Sequence, residues 1–278
     1  MSAAELFGLV LAGGRSIRMG SDKAALRYAG QPQLARAMEL IAPLVARSFA
    51  SVRPDQVHDP QRTAYELIVD QHPGLGPLAG IEAAQQAHPE AAWLVLACDL
   101  PFLSPAILRD LLARRDRGRL ATAYRSQFDG KPEPLCAVYE PASRASLLRW
   151  IEQGHQCPRA WLASADVSLL ELPEARALDN VNTADEYSAA QLALGGAPLH
   201  RLQVRYFALL REQAGRGGEA LHTPARTPGE LYAQLQRERG LTLEPRFLRV
   251  AVNDEFGDWQ QPLRDGDTVA FLPPVAGG

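Results

Sequence analysis

Along the first two thirds of the chain, short unbroken apolar runs alternate with stretches of helical spacing. Phe7-Gly8-Leu9-Val10 has no polar interruption, as expected of a strand buried on both faces. From Gln33 to Val45, Leu34, Ala37, Met38, Ile41 and Val45 recur every three or four positions, which predicts a helix. Phe49 to Val52 and Tyr65 to Val69 read as strands, the latter ending in Asp70. Pro73 to Gly80 is a stiff turn opening a helix over Ile81 to Ala87, and Trp93 to Cys98 is the strongest strand, with Asp99 at its carboxyl end and Pro101 stopping it. Such alternation predicts a parallel sheet flanked by helices, with ligands at the carboxyl ends of the strands. Leu120 to Tyr124 and Leu135 to Tyr139 read as strands around a polar loop, Ser126 to Pro134. A helix over Arg144 to Glu152, a strand at Val167 to Leu170 and a helix at Ala184 to Leu194 capped by Thr183 complete this region.

At Gly195-Gly196-Ala197-Pro198 the texture changes to a short flexible linker. The pattern then restarts with Leu202, Val204 and Tyr206 alternating with polar residues, a half-buried strand. Thr227-Pro228-Gly229-Glu230 is a capping box with proline at the first helical position, and the helix it opens carries Leu231 and Leu235 and ends near Arg239. Phe247 to Val252 and Thr268 to Leu272 are strands, the second after a hairpin-type turn at Asp265-Gly266-Asp267. The expected organisation is an α/β domain with a mainly parallel sheet over residues 1–194, a linker at 195–199, and a small α+β domain over 200–278.

Composition narrows the function. A net charge of −3 and a pI near 6.1 give no electrostatic footprint for nucleic acid or an anionic membrane. From Pro198 onward ten basic residues balance ten acidic ones, so the excess charge lies in the larger region. Cys98, Cys136 and Cys157 are odd in number and widely spaced, which predicts neither a disulfide framework nor a metal site and fits a reducing cytoplasm. The N-terminus has no basic stretch before its apolar run, and no later run approaches membrane-spanning length, so a cytoplasmic location is expected.

The chemistry concentrates where the first strand empties into Leu11-Ala12-Gly13-Gly14-Arg15-Ser16-Ile17-Arg18-Met19-Gly20-Ser21-Asp22-Lys23. Gly13, Gly14 and Gly20 let the backbone approach a ligand, and Arg15, Arg18 and Lys23 supply charge for a polyphosphate. The spacing matches neither G-x-x-x-x-G-K-[ST] nor G-x-G-x-x-G. Lys23 and Lys131 are the only lysines, so a lysine in this loop points to a compact charge rather than a planar fork. Asp99, facing the loop from a strand end, is suited first to hold Mg²⁺ against nucleotide phosphates, and an aspartate before Pro101 capping a turn is the lesser alternative.

Leu11-Ala12-Gly13-Gly14, Arg18-Met19-Gly20 and Asp22-Lys23 resemble the opening motif of Rossmann-like nucleotidyltransferases, most closely the molybdenum cofactor guanylyltransferases, the MobA family. Cys98-Asp99-Leu100-Pro101 matches the place of that family's magnesium aspartate. Gly76-Pro77-Leu78-Ala79-Gly80 matches the loop that lies against guanine and ribose there, and Asp70 the nucleotide-contacting aspartate before it. Ser51 stands where the family usually has an asparagine near the base. Asn180 and Asn182 match an Asn-Val-Asn-Thr run associated with molybdopterin, and Lys131-Pro132 lies where a polar residue often precedes proline, although an exposed turn explains it equally. The resemblance implies GTP and Mg²⁺ as reactants, molybdopterin as acceptor, and transfer of GMP with release of pyrophosphate.

The chain ends Phe271-Leu272-Pro273-Pro274-Val275-Ala276-Gly277-Gly278. A terminal Gly-Gly is by itself weak evidence. After a strand that closes a β-grasp-like pattern, it resembles the small subunit of molybdopterin synthase (the MoaD family), a ubiquitin-like sulfur carrier. That resemblance implies a thiocarboxylate on Gly278. The partners it implies are the synthase large subunit and its sulfurylating adenylyltransferase, with a molybdenum insertase and molybdoenzyme chaperones as further candidates. Two other readings stay open: a cytidylyl or sugar-phosphate nucleotidyltransferase, and a non-catalytic docking role for the second domain.

Overall fold

The computed structural model describes residues 4–14, 24, 26–28, 30–72, 74–181, 183–195 and 199–273. The chain divides into two compact units, Met1–Glu186 and Tyr187–Gly278.

In the first unit the elements are β1 (Leu6–Leu11), a two-residue hairpin β2 (Arg27–Tyr28) and β3 (Gln31–Pro32), α1 (Gln33–Ile41), β4 (Arg47–Val52), β5 (Glu66–Val69), α2 (Pro77–Ala87), β6 (Ala92–Ala97) and α3 (Pro105–Ala113). They continue with β7 (Ala121–Arg125), β8 (Pro132–Tyr139), α4 (Ser143–Glu152), α5 (Pro158–Ser164) and β9 (Val167–Glu171), and α6 (Ala184–Ala193) begins in this unit and continues into the second. A seven-stranded sheet runs β5-β4-β1-β6-β8-β7-β9. The pairs β5/β4, β4/β1, β1/β6 and β7/β9 are parallel, and β8 alone runs against its neighbours. Because β8 is antiparallel to both β6 and β7, β7 and β9 again point the same way as β1. The sheet's two faces bury separate cores, one around Val10, Leu34, Ile41, Leu94 and Leu108, the other around Leu9, Ile81, Trp93, Val95 and Trp161. β6 is buried at all six positions, as its unbroken apolar run requires.

Several boundaries differ from the expected ones for local reasons. The helix from Gln33 ends at Ile41 and not at Val45, because Pro43 lacks the amide a further α-turn needs and the chain tightens into a 3₁₀ turn. α2 starts at Pro77, four residues early, since proline is pre-organised for the first helical position. α3 and α5 each also begin on a proline, and Ser104 caps α3 by accepting from the Ile107 amide at 3.4 Å. Thr183 and Glu186 form a full capping box before α6: the Glu186 amide donates to Thr183 Oγ1 at 3.2 Å and the Thr183 amide to Glu186 Oε2 at 3.0 Å.

The second unit contains β10 (His200–Tyr206), α7 (Ala208–Ala214), β11 (Gly218–Thr223), α8 (Pro228–Arg239), β12 (Arg249–Val252), β13 (Glu255–Gly257) and β14 (Thr268–Leu272). Its sheet order is β11-β10-β14-β12-β13, with β10/β14 parallel and the other pairs antiparallel. Leu202, Val204, Tyr206, Leu231, Leu235 and Phe271 form its core. The turn at Asp265–Asp267 is not a hairpin: β14 pairs with β10 and β12, neither of which adjoins it in sequence. The hairpin is instead β12–β13, turning through Asn253 (φ 53°) and Asp254 (φ 66°), both left-handed as the twist of a two-residue turn demands. The strand expected from Phe247 begins at Arg249, because Pro245–Phe247 forms a 3₁₀ turn.

Candidate active site

The carboxyl ends of β1, β4, β5, β6, β7 and β9 define one edge of the larger sheet, and every described candidate residue of that unit lies along it or on the helix it opens. At the centre, β1 and β6 are neighbours in register, Leu11 beside Ala97, so the segment Ala12–Gly14 and the turn carrying Asp99 leave the sheet side by side. Ala12 is anchored by its amide, which donates to the Ser51 carbonyl at 2.9 Å. Among the described residues a Cβ at Gly14 would meet nothing within 4 Å, and its φ is not left-handed. The absent side chain leaves room for a ligand. Arg15, Arg18, Gly20 and Lys23 lie outside the described residues.

α2 opens at this edge from Gly76, whose φ of 57° and ψ of −136° suit only glycine. Gly76 offers no side chain to cap the first turn, Pro77 has no amide N–H, and the Ala79 amide donates to the Gly76 carbonyl at 3.2 Å. Leu78 is buried, whereas Pro77 is exposed. Gly80 has a structural reason: a Cβ there would lie 2.4 Å from Ser51 Oγ and 2.7 Å from Leu11 Cδ2, so glycine lets the helix rest on β1 and β4. Ser51, 3% exposed, is therefore packed beneath the helix, with its carbonyl used by Ala12.

Asp70 continues β5, its amide donating to the Val52 carbonyl at 2.9 Å. Burial pushes its carboxyl above the usual range, opposed by Arg53 and reinforced by Asp55. Two strands separate β5 from β6, and at the usual spacing three strand intervals amount to about 14 Å. Asp70 and Asp99 therefore serve opposite wings of the edge and do not share one ion.

Asp99 sits in the turn after β6 and is not a helix cap, a role Ser104 fills for α3. Its carbonyl accepts from the Val181 amide at 3.3 Å, which brings the Asn180 segment to it. Asp99, Asn180, Glu133, Cys136 and Arg159 line a cavity of about 90 Å³. Burial pushes the Cys136 thiol up to about 12, so it is no nucleophile at neutral pH. Arg159 bridges Glu133 at 2.8 Å and Asp129 at 3.3 Å. Lys131 is exposed on the β7–β8 loop, which closes through the Ser126 amide on the Lys131 carbonyl at 2.7 Å. Asn182 lies outside the described residues.

Among the described residues no group of three His, Cys, Asp or Glu side chains could hold a metal ion. Asp99 alone still fits Mg²⁺, which is commonly held by one or two carboxylates together with substrate phosphates and water. The pattern of the sequence did not point to Arg53, Arg62 or Arg159, which come from irregular connections or a short helix and reach the site from 26 to 50 residues away in the chain.

Residues 8–169 match the model of the MobA-like NTP transferase domain. The chain belongs to the MobA-like NTP transferase family. Residues 204–278 of this MobA-like transferase match the ThiS family. A molybdenum cofactor biosynthesis bifunctional protein of Synechocystis is 34% identical over 187 residues, 67% of this chain and 54% of that protein, so the chain spans about half of that relative. A probable molybdenum cofactor guanylyltransferase of Synechococcus elongatus is also 34% identical, over 66% of this chain and 97% of its own length. Among solved structures, molybdopterin-guanine dinucleotide biosynthesis protein A of Archaeoglobus fulgidus superposes with a TM-score of 0.55 at 27% identity, covering 68% of this chain and 98% of that one. The nucleotidyltransferase edge and the small second sheet are thus both accounted for by families of known fold. Among the described residues no helix is long and apolar enough to cross a membrane.

Proposed function

We propose that residues 1–194 transfer GMP from GTP to molybdenum-loaded molybdopterin, and that residues 200–278, joined through 195–199, carry sulfur as a thiocarboxylate on Gly278. The observation that supports the transfer reading best is the pairing of Leu11 with Ala97, which sets the glycine segment beside the strand-end carboxylate of Asp99, with the Asn180 segment bonded to that same turn.

In this reading an oxygen of the acceptor's terminal phosphate attacks the α-phosphorus of GTP. A new P–O bond forms as the bond from the α-phosphorus to the bridging oxygen breaks, and pyrophosphate leaves with that oxygen. The attacking phosphate is already anionic, so no strong general base is needed, and rate comes from alignment and charge neutralisation. Gly13 and Gly14 offer backbone amides to the phosphates. Lys23, Arg15 and Arg18 stabilise the departing charge. Leu11, Ala12, Asp70 and the start of α2 over Gly76–Gly80 hold the nucleoside, and Asn180, Asn182 and Lys131 orient the acceptor. Mg²⁺, held by Asp99 with the nucleotide phosphates, would neutralise charge on the reacting groups.

The second unit would deliver its tail to the large subunit of molybdopterin synthase after activation by a sulfurylating adenylyltransferase. The test has two readouts on the full chain. Pyrophosphate release with molybdopterin acceptor is expected with GTP and not with CTP; equal or greater turnover with CTP rejects guanylyl specificity. After incubation with the sulfurylating enzyme, the intact mass should rise by the replacement of one oxygen by sulfur, and no such rise rejects the carrier role.

A further inference from the structure

Two arginines from the β4–β5 connection grip successive carbonyls of the glycine segment. Arg62, 1% exposed, donates from Nη2 to the Ala12 carbonyl at 2.9 Å and pairs through Nη1 with Asp59. Arg53 donates from Nη1 to the Gly13 carbonyl, while its Nε and Nη2 hold both oxygens of Asp55 at 2.9 and 3.0 Å. Neither guanidinium is free to swing. The Arg62 backbone is pinned in a stack of turns, with its amide on the Asp59 carbonyl at 2.9 Å and its own carbonyl taking the Tyr65 amide at 3.0 Å. The Arg53 amide is held by Gln56 Oε1 at 3.0 Å.

A trans peptide points its carbonyl and its N–H in opposite directions. A guanidinium on the Ala12 carbonyl therefore turns the Gly13 amide away from Arg62, and one on the Gly13 carbonyl turns the Gly14 amide away from Arg53. Each such hydrogen bond also polarises its peptide and strengthens the opposite N–H as a donor. At Gly14 a Cβ would meet no atom of the described residues within 4 Å. Two charge-assisted bonds thus set two adjacent amides as an anion receptor before any ligand arrives.

We infer that Arg62 and Arg53 are positioning residues for polyphosphate, acting through the Gly13 and Gly14 peptides and not by touching the ligand. This rests on the nucleotidyl-transfer reading for its biological use, but not for its test. Asp59 and Asp55 offset the two positive charges, so the arginines' main contribution is orientation, and a lysine, which cannot donate to carbonyl and carboxylate in the same planar fork, replaces them poorly.

The probe is inorganic triphosphate, titrated calorimetrically into the full chain with Mg²⁺ present. Arg53→Gln is the cleaner variant because Arg53 is partly solvated, and Arg62→Lys tests the buried grip while keeping the charge. For each, triphosphate binding is expected to weaken about tenfold, the effect of one charge-assisted hydrogen bond, with the Arg53→Gln melting temperature unchanged. Arg53→Lys should recover less than half of the lost binding energy. Unchanged triphosphate affinity in Arg53→Gln overturns the inference, as does a loss of affinity that merely tracks a lowered melting temperature. A wild-type chain that binds no triphosphate overturns it too. Tight triphosphate binding lost in the variants, in a chain that fails to transfer GMP, upholds the inference and rejects only the guanylyl-transfer reading.

Discussion

The amide of Val181 donates to the carbonyl of Asp99 at 3.3 Å, tying the segment before α6 to the turn after β6. The bond uses only backbone atoms, so the Asp99 side chain can be altered without breaking it. Asp99→Asn, which keeps shape and loses charge, is expected to lower GTP-dependent transfer by about a hundredfold or more, on the scale of removing one preorganised electrostatic group. Circular dichroism and melting temperature should match the wild type. Substantial retained turnover would reject the proposed role of Asp99 as a metal ligand.

Gly14 and Gly80 are both glycines of the site region, yet the structure gives them opposite reasons. Gly14→Ala meets no atom within 4 Å and should melt within about 0.5 kcal/mol of wild type, while nucleotide affinity falls because the new methyl enters the ligand's space. Gly80→Ala improves helix propensity by up to about 1 kcal/mol but forces Ser51 and Leu11 to move, an overpacking cost of about 1–3 kcal/mol. The clash should prevail, giving a net loss of about 1 kcal/mol. Denaturant titration and nucleotide binding of the two variants separate these effects; a destabilised Gly14→Ala with unchanged binding would reverse the assignment.

In the second unit Glu219 accepts from Arg239 Nε at 2.9 Å and Nη2 at 2.8 Å, and from the Tyr206 hydroxyl at 2.8 Å. Burial alone would push its carboxyl up, but the bonds from Arg239 and Tyr206 prevail and hold it below the usual range. A depressed folded-state value means the stability is present above the unfolded carboxylate's pKa and is lost as pH falls through the lower, folded one. Between pH 7 and 5 the unit should therefore keep its stability, and below about pH 4, near the ordinary Glu value, it should lose it. Hydrogen exchange of the β10 and β11 amides reads this, and Glu219→Gln should flatten the acid dependence. An unaltered acid profile in that variant would exclude Glu219 as its source.

Removal of Gly277 and Gly278 should abolish thiocarboxylate formation while leaving GMP transfer within twofold of wild type, because transfer is proposed to use groups of the larger unit alone. The paired assay is intact mass after sulfurylation and pyrophosphate release with GTP. Loss of both activities on removing two glycines would show that the units do not work independently.

Pattern alone was sufficient for the elements whose physics is local. The unbroken run of β6, the 3.6-residue spacing of α1 and the Thr183 and Thr227 caps are each decided within a few residues, and so are the strand ends that carry Gly13, Asp70 and Asp99. α5 and β13, at seven and three residues, are too short to show a period, whereas α3 carries helical spacing at Ile107, Leu108, Leu111 and Leu112 that a reading of the strands passed over.

What required the tertiary structure is everything set by chain reversal between strands. Sequence order alone does not reveal that β8 runs antiparallel and so returns the β7–β8 loop to the same edge, or that β12 turns into β13 at Asn253-Asp254 and not before β14. Nor could spacing relate Arg62 to Ala12, 50 residues apart, or give Gly80 its reason in Ser51 and Leu11, since both are contacts between elements. The residue types along the chain set which side chains are chemically suited to phosphate, metal and acceptor, because side-chain chemistry is carried by the residue. Packing and register decided which of them stand together and which peptide carbonyls the arginines hold, because direction in space belongs to the folded chain.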